Sequence, residues 1–247
     1  MLTLFQNENK NLVLNANILE HNLLIAGPEG TGHEELLAFL ITNFLQKEDA
    51  EVFYFHQSIG IPFLEQVMTP EIAAHPNLHI FDISWKWPIA KGFQWHYFFD
   101  KYERQFSCHE RLKTKKIERP TMIIIDDFHL FSKNDRFRSR VENWLQNHTR
   151  WIGKEQPCQI ILSSTSIEDF SQSPLKSIIQ ETMAANIFLS NCNALSPHCD
   201  KAYKDWNLTE EELETISCLE QRQNFYLKSS FGNFVFQLQN REGKRGN

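Results

Sequence analysis

A glycine-containing stretch offers the clearest chemistry in the sequence. It runs Gly27, Pro28, Glu29, Gly30, Thr31, Gly32, His33 and Glu34. An apolar run precedes it and a helix-like stretch follows it, which is the setting of the phosphate-binding pattern G-x-x-x-x-G-K-[ST]. Gly27 and Gly32 keep the spacing of that pattern. The lysine that would reach the β- and γ-phosphates is His33, and the hydroxyl residue that would hold magnesium is Glu34.

The charges beside this stretch oppose the binding of a polyanion. Glu29, Glu34 and Glu35 accompany a histidine that is largely neutral at pH 7. Backbone amides at a helix start still attract an anion, and glutamates in a first turn also stabilise the helix in the ordinary way. Two interpretations stay open. Either the loop keeps its shape and has lost tight triphosphate binding, or a protonated His33 replaces the lysine with shorter reach.

A second acidic element follows a later apolar run. Ile123, Ile124 and Ile125 lead directly into Asp126 and Asp127. In a phosphate-loop enzyme the first acid supports magnesium and the second residue, usually glutamate, polarises the attacking water. Asp126 suits the first role. Asp127 is shorter by one methylene group than the glutamate that usually has the second role. The alternative for Asp127 is an ordinary helix cap or loop contact.

Composition narrows the class of protein. The chain has 247 residues, a net charge of −6 and 41% hydrophobic residues, which is typical of one large globular domain. No apolar run is long enough to span a bilayer, and the start lacks the pattern of a signal peptide. The net acidity argues against a general nucleic-acid coat. Five cysteines without tight spacing indicate a reducing compartment.

Short apolar runs without polar alternation predict buried parallel strands, with helices between them on both faces of a sheet. The runs are Leu23–Ala26, Val52–Phe55, Leu78–Phe81, Met122–Ile125, Gln159–Leu162 and Asn186–Leu189. Two further runs flank Gly232 and predict a closing C-terminal hairpin. We expect one α/β domain over residues 1–240, with a short insert at 88–120 and a disordered tail at 241–247.

The region around the insert is rich in aromatic and basic residues. Nine aromatic side chains lie between Trp85 and Phe106, and five basic residues follow between Arg111 and Arg119. The helical spacing of several of the rings favours a face packed on the sheet or on a partner protein. Aromatic rings beside cations also suit single-stranded nucleic acid, and this stays the alternative.

The later motifs give the chain a family resemblance. Thr165 to Asp169 follows an apolar run, Phe188 to Cys192 follows the next, and Leu208 to Glu212 and Arg222 to Lys228 come after them. From about Asn11 to Gln239 this order resembles the C-terminal motor domain of the CagE/TrbE/VirB family of type IV secretion and conjugation ATPases. The resemblance implies a RecA-like P-loop domain at the inner-membrane base of a secretion channel.

The same resemblance implies roles for individual residues. Asp126 would hold magnesium, Asp127 would orient water, and Thr165 stands where the family has a glutamine that senses the γ-phosphate. Arg150 falls where the family has an arginine that could complete a neighbour's site. Changes at His33, Glu34, Asp127 and Thr165 alter four catalytic positions of the family pattern in one chain.

These observations lead to three hypotheses about function. The first is a degenerate ATPase-like subunit, binding ATP and magnesium weakly or not at all. It would dock on a related motor or on inner-membrane channel components, at the cytoplasmic face and as a homo- or hetero-oligomer. The second is a slow but genuine ATP-hydrolysing secretion motor. The third is a single-stranded nucleic-acid-binding module, which the net charge disfavours.

Overall fold

The structure, a computed structural model, describes residues 21–56, 67–82, 120–132, 158–230 and 232–238, and six positions between 138 and 146. The aromatic cluster from Trp85 to Phe106, Arg150 and the tail at 241–247 lie outside the described residues. The insert at 88–120 also lies outside them, except for Pro120 at its end.

The described strands form one eight-stranded sheet in the order β3-β2-β4-β5-β1-β6-β7-β8. Their bounds are β1 Leu23–Ala26, β2 Glu51–His56, β3 Leu78–Asp82, β4 Thr121–Ile125, β5 Cys158–Ser164, β6 Ala185–Phe188, β7 Asn224–Ser229 and β8 Gly232–Gln237. Pairing is parallel from β3 to β6, and β7 and β8 are antiparallel. The predicted mainly parallel sheet and the closing hairpin are confirmed.

Seven helices have both of their ends among the described residues, and the six described positions between 138 and 146 are also helical. Their bounds are α1 His33–Phe44, α2 Pro70–Ala73, α3 Phe128–Ser132, α4 Ile167–Ser171, α5 Lys176–Thr182, α6 Pro197–Lys204 and α7 Glu210–Ser217. Within the residues described, no helix combines the length and apolar character needed to cross a bilayer.

Successive residues of each central strand point to opposite faces of the sheet, and both faces are covered. Leu23 and Ile25 of β1 pack in the same cluster as Leu36 and Ile41 of α1. Leu24 and Ala26 pack on the other face, in a cluster with buried residues of α4 to α7, including Phe170, Ile179, Tyr203 and Leu213. Burial on both faces explains why the strand sequences show no polar alternation.

A buried carboxylate joins α7 to the C-terminal hairpin. Thr209 and Glu212 form a capping box at the start of α7. The Glu212 carboxylate also accepts hydrogen bonds from Tyr226 Oη at 2.7 Å, Lys228 Nζ at 2.7 and 2.9 Å and Asn233 Nδ2 at 2.7 Å. Two motifs that the sequence presents separately, Leu-Thr-x-x-Glu and the strand ending in Lys228, are therefore two halves of one network.

Replacing Glu212 by glutamine should lower the free energy of unfolding by about 2–3 kcal/mol, because Lys228 would lose its charged partner in a largely buried site. Burial alone would raise the pKa of Glu212, but the hydrogen bonds from Lys228, the Thr209 backbone and Tyr226 outweigh it and hold this pKa below its usual value of 4.5. The stabilising contribution is therefore complete above pH 4.5 and declines as the pH falls further.

Urea denaturation of Glu212→Gln between pH 3 and 7 measures this effect. Glu211→Gln is the matched control, since Glu211 is exposed on the same helix. A loss of stability at pH 7 no larger than that of the control would contradict the assigned role of Glu212.

Candidate phosphate-binding site

Strand register brings the predicted site residues to one edge of the sheet. Ala26 at the end of β1 lies beside Ser164 of β5, and Ile125 at the end of β4 lies beside Leu162 of the same strand. The glycine loop, the acidic pair and Thr165 therefore all emerge from the carboxyl ends of neighbouring parallel strands. This edge is where ligands of open α/β sheets generally bind.

The glycine loop between β1 and α1 is held in a tight turn. The backbone N–H and the hydroxyl of Thr31 both donate to the carbonyl of Pro28, at 3.3 and 2.5 Å. A Cβ atom at Gly27 would lie 2.4 Å from Leu189 Cβ, so only glycine fits where the loop leaves the sheet. Gly32 has φ 110 and would place a Cβ 2.7 Å from Arg222 Cα. Both glycines of the frame are thus required by the fold itself.

His33 occupies the position of the missing lysine and lies inside the protein. The residue is 5% exposed, and its Nε2 is 3.4 Å from Asp126 Oδ1. The imidazole therefore faces the acidic strand end rather than the space above the loop. This contact joins the two elements that would hold the phosphate and the magnesium of a nucleotide.

The Asp126 carboxylate is held by donors from β2, from β5 and from the backbone that follows β4. Tyr54 Oη donates to Oδ2 at 2.5 Å, Ser163 Oγ donates to Oδ1 at 2.6 Å, and the Asp127 backbone N–H donates to Oδ1 at 3.0 Å. Burial and the neighbouring Asp126 carboxylate raise the pKa of Tyr54 well above its usual value, which keeps the phenol protonated as a donor. Both oxygens of Asp126 are thus engaged within the protein.

Asp127 has an unusual backbone and an unusual charge state. Its φ is 53, in the left-handed region that non-glycine residues rarely adopt. Burial, together with the charges of Asp126, Asp169 and Glu29, raises its pKa to about 7 against the opposing effect of His33. The surroundings of Asp127 therefore disfavour the ionised form of its carboxyl group.

A cation that sequence reasoning missed lies beside the loop. Arg222, in the turn before β7, donates from Nε to the carbonyl of Gly30 at 3.0 Å and from its backbone N–H to the carbonyl of Thr31 at 2.9 Å. Its Nε is also 3.8 Å from Glu35 Oε1. The sequence shows Arg222 as part of a strand motif, but it gives no sign that this turn contacts a loop 192 positions away.

The charges present do not fit tight binding of a magnesium triphosphate. The imidazole in the lysine position faces Asp126, and Glu29, Glu34, Asp127 and Asp169 lie around the same edge. Within the part of the chain that the structure describes, no group of three or more His, Cys, Asp or Glu residues is arranged to hold a metal ion. The magnesium role expected of Asp126 stays a prediction, and no catalytic step follows from this arrangement.

The other predicted residues divide by location. Gly27 to Glu34, Asp126 and Asp127 come together at the sheet edge, and Thr165 follows β5 there in a partly exposed position. The expected roles of Asp127 and Thr165 stay predictions. Arg150 lies outside the described residues, so its role as an arginine finger also stays a prediction.

The family resemblance is supported by one sequence relative in particular. The chain is 23% identical over 128 residues to the conjugal transfer protein TrbE of Rhizobium radiobacter. The match covers 52% of this chain and 15% of that protein. The matched part of the chain thus corresponds to less than a fifth of that relative's length. No family model matches the chain.

Two solved structures share the fold. The genome packaging NTPase B204 from Sulfolobus turreted icosahedral virus 2, in complex with ATP-gammaS, superposes with a TM-score of 0.58 at 13% identity and covers 89% of this chain and 98% of its own. VirB4 of Thermoanaerobacter pseudethanolicus gives a TM-score of 0.57 at 8% identity, with 90% of each chain covered. The architecture is therefore that of a P-loop ATPase domain, as predicted. Together with the TrbE match, this fold supports the predicted resemblance to type IV secretion and conjugation ATPases.

Replacing Asp127 by asparagine should stabilise the protein more at pH 8 than at pH 5. A carboxyl whose pKa is raised from 3.8 to about 7 on folding binds more protons in the folded state between these values, so the cost of its ionisation grows as the pH rises from about 4 to about 7 and is constant above that. Each pKa unit corresponds to about 1.4 kcal/mol, and solvent screening reduces the expected gain to about 1–2 kcal/mol.

Thermal or urea unfolding at the two pH values measures this gain. Asp49→Asn is the matched control, because Asp49 is exposed and has a similar φ of 55. Asparagine tolerates the left-handed region at both positions. Equal effects of the two substitutions at pH 8 would show that the surroundings of Asp127 do not penalise its charge.

Proposed function

We propose that this chain is a type IV secretion or conjugal-transfer ATPase-like subunit in which the P-loop fold is retained and nucleotide hydrolysis is impaired. It acts by docking to a related motor or to the base of the channel. The similarity to TrbE supports the system in which it works. The contact between His33 and Asp126 supports the loss of hydrolysis.

The His33–Asp126 contact is the observation on which the proposal depends. A unit charge about 4 Å from a phosphate contributes about 4 kcal/mol at an effective dielectric constant of 20. An imidazole directed at the Asp126 carboxylate supplies little of this, because that carboxylate offsets any positive charge on the ring, and Glu29 and Glu34 add further negative charge. Backbone amides at the start of α1 supply part of the attraction for a phosphate, equivalent to about half a charge.

The docking role follows from what remains once catalysis is removed. The scaffold keeps both sheet faces packed, and a folded domain of this kind can bind a partner without hydrolysing nucleotide. We place the subunit at the cytoplasmic face of the inner membrane, in a homo- or hetero-oligomer with secretion ATPases or channel components.

A slow ATP-hydrolysing motor is the second candidate, and the loop geometry favours it. Gly27 and Gly32 retain the backbone of a phosphate-binding loop, and Asp126 stands beside it. In that case His33 would contact phosphate after turning away from Asp126. The nucleic-acid hypothesis depends on the aromatic and basic insert outside the described residues, and it stays a prediction.

Replacing His33 by lysine should tighten ATP binding at least about tenfold, equivalent to about 1.4 kcal/mol, because a permanent charge with longer reach returns to the loop. Isothermal titration calorimetry with and without magnesium measures the affinity. We expect the unmodified chain to show no saturable binding up to about 1 mM nucleotide.

His198→Lys is the matched control, since His198 is an exposed histidine at the start of α6. It should leave the titration unchanged. Micromolar, magnesium-dependent binding of ATP by the unmodified chain would overturn the degenerate site and favour the slow motor. A His33→Lys variant that gains nothing would remove position 33 from the nucleotide site altogether.

A further inference from the structure

We infer that Arg222 is a positioning residue that holds the phosphate loop in its anion-binding shape through backbone carbonyls, without a nucleotide. The role differs from that of a charge that touches phosphate. The inference depends on the proposed function in one respect only, which is the identity of the ligand that the loop would bind.

Two hydrogen bonds connect the turn before β7 to the loop. Arg222 Nε donates to the Gly30 carbonyl at 3.0 Å, and the Arg222 backbone N–H donates to the Thr31 carbonyl at 2.9 Å. These carbonyls belong to consecutive peptide units at the centre of the loop. The hairpin therefore fixes the orientation of two successive peptides with donors from a single residue.

Fixing the carbonyls also fixes the amides that a phosphate would meet. In a trans peptide the carbonyl of one residue and the N–H of the next point in opposite directions. The Gly32 N–H consequently points away from Arg222, while the Thr31 N–H is turned into the loop, where it donates to the Pro28 carbonyl. Arg222 thereby fixes both the internal turn of the loop and the direction of the N–H at the start of α1, where backbone donors attract anions.

The close packing of the turn reinforces this arrangement. Gly32 has no room for a Cβ, which would lie 2.7 Å from Arg222 Cα and 3.2 Å from the Phe225 ring. Arg222 itself has φ 63, so the turn adopts a left-handed backbone to make the contact. At the far end of β7, Lys228 is bound to Glu212 of α7, which anchors the hairpin that presents Arg222.

A glutamine substitution at Arg222 separates the positioning role of this residue from the effect of its charge. The glutamine Nε2 is the same number of bonds from the backbone as arginine Nε, so Arg222→Gln can keep the bond to the Gly30 carbonyl while removing the cation. Arg222→Ala removes both. Glu35→Gln removes the acidic neighbour of Arg222 and leaves the loop bonds in place.

Amide hydrogen exchange on the nucleotide-free full chain is the first test. Arg222→Ala should speed exchange of the Gly30–Glu35 segment about fivefold to tenfold, the loss expected for one hydrogen bond. Exchange in β1 and β4 should stay unchanged, and both Arg222→Gln and Glu35→Gln should stay within about twofold of the unmodified protein. Unchanged loop exchange in the alanine variant would overturn the inference, as would a glutamine variant that behaves like alanine.

Affinity in the His33→Lys background is the second test. There Arg222→Ala should weaken binding of magnesium ATP about tenfold, and Arg222→Gln should not. Equal losses in both variants would show that Arg222 acts by its charge, against the inference. Because the exchange experiment uses no nucleotide, it tests the positioning role even if the proposed function fails in the calorimetric titration.

Discussion

The buried carboxylate of Asp126 is the constraint around which the site is organised. A charge in the interior is costly unless hydrogen bonds and opposite charge compensate it. In this chain the compensation is internal, from Tyr54 on β2, Ser163 on β5 and the adjacent His33 on α1. Both carboxylate oxygens of Asp126 therefore accept hydrogen bonds from groups within the protein.

The C-terminal part of the chain holds the glycine loop, in which His33 stands at the lysine position of the phosphate-binding pattern. Glu212 fixes the hairpin to α7, and the hairpin in turn presents Arg222 to the carbonyls of Gly30 and Thr31. The backbone of the loop therefore depends on contacts within the protein. This separates two properties that coincide in a working motor, the shape of the phosphate loop and the chemistry of its side chains. The shape can persist while the chemistry changes.

The local sequence was sufficient to predict the strands and the sheet edge at which the site lies. Apolar runs such as Met122–Ile125 end at polar residues, and burial on both faces follows from their lack of alternation. The partners of Asp126 could not be predicted, because Tyr54 and Ser163 are 72 and 37 positions away and meet it only through strand register. The contact of Arg222 with the glycine loop could not be predicted for the same reason. The direction in which His33 points was likewise fixed by tertiary contacts with Asp126, which neither spacing nor residue type reveals.

We propose that internal contacts have replaced phosphate chemistry at this edge of the sheet. Steady-state phosphate release from magnesium ATP by the purified chain, compared with an Asp126→Asn variant measured in parallel, tests this most directly. We expect the unmodified chain to release phosphate no faster than the variant, because neither has a working site. Turnover by the unmodified chain that is abolished by Asp126→Asn would instead identify a genuine, if altered, ATPase.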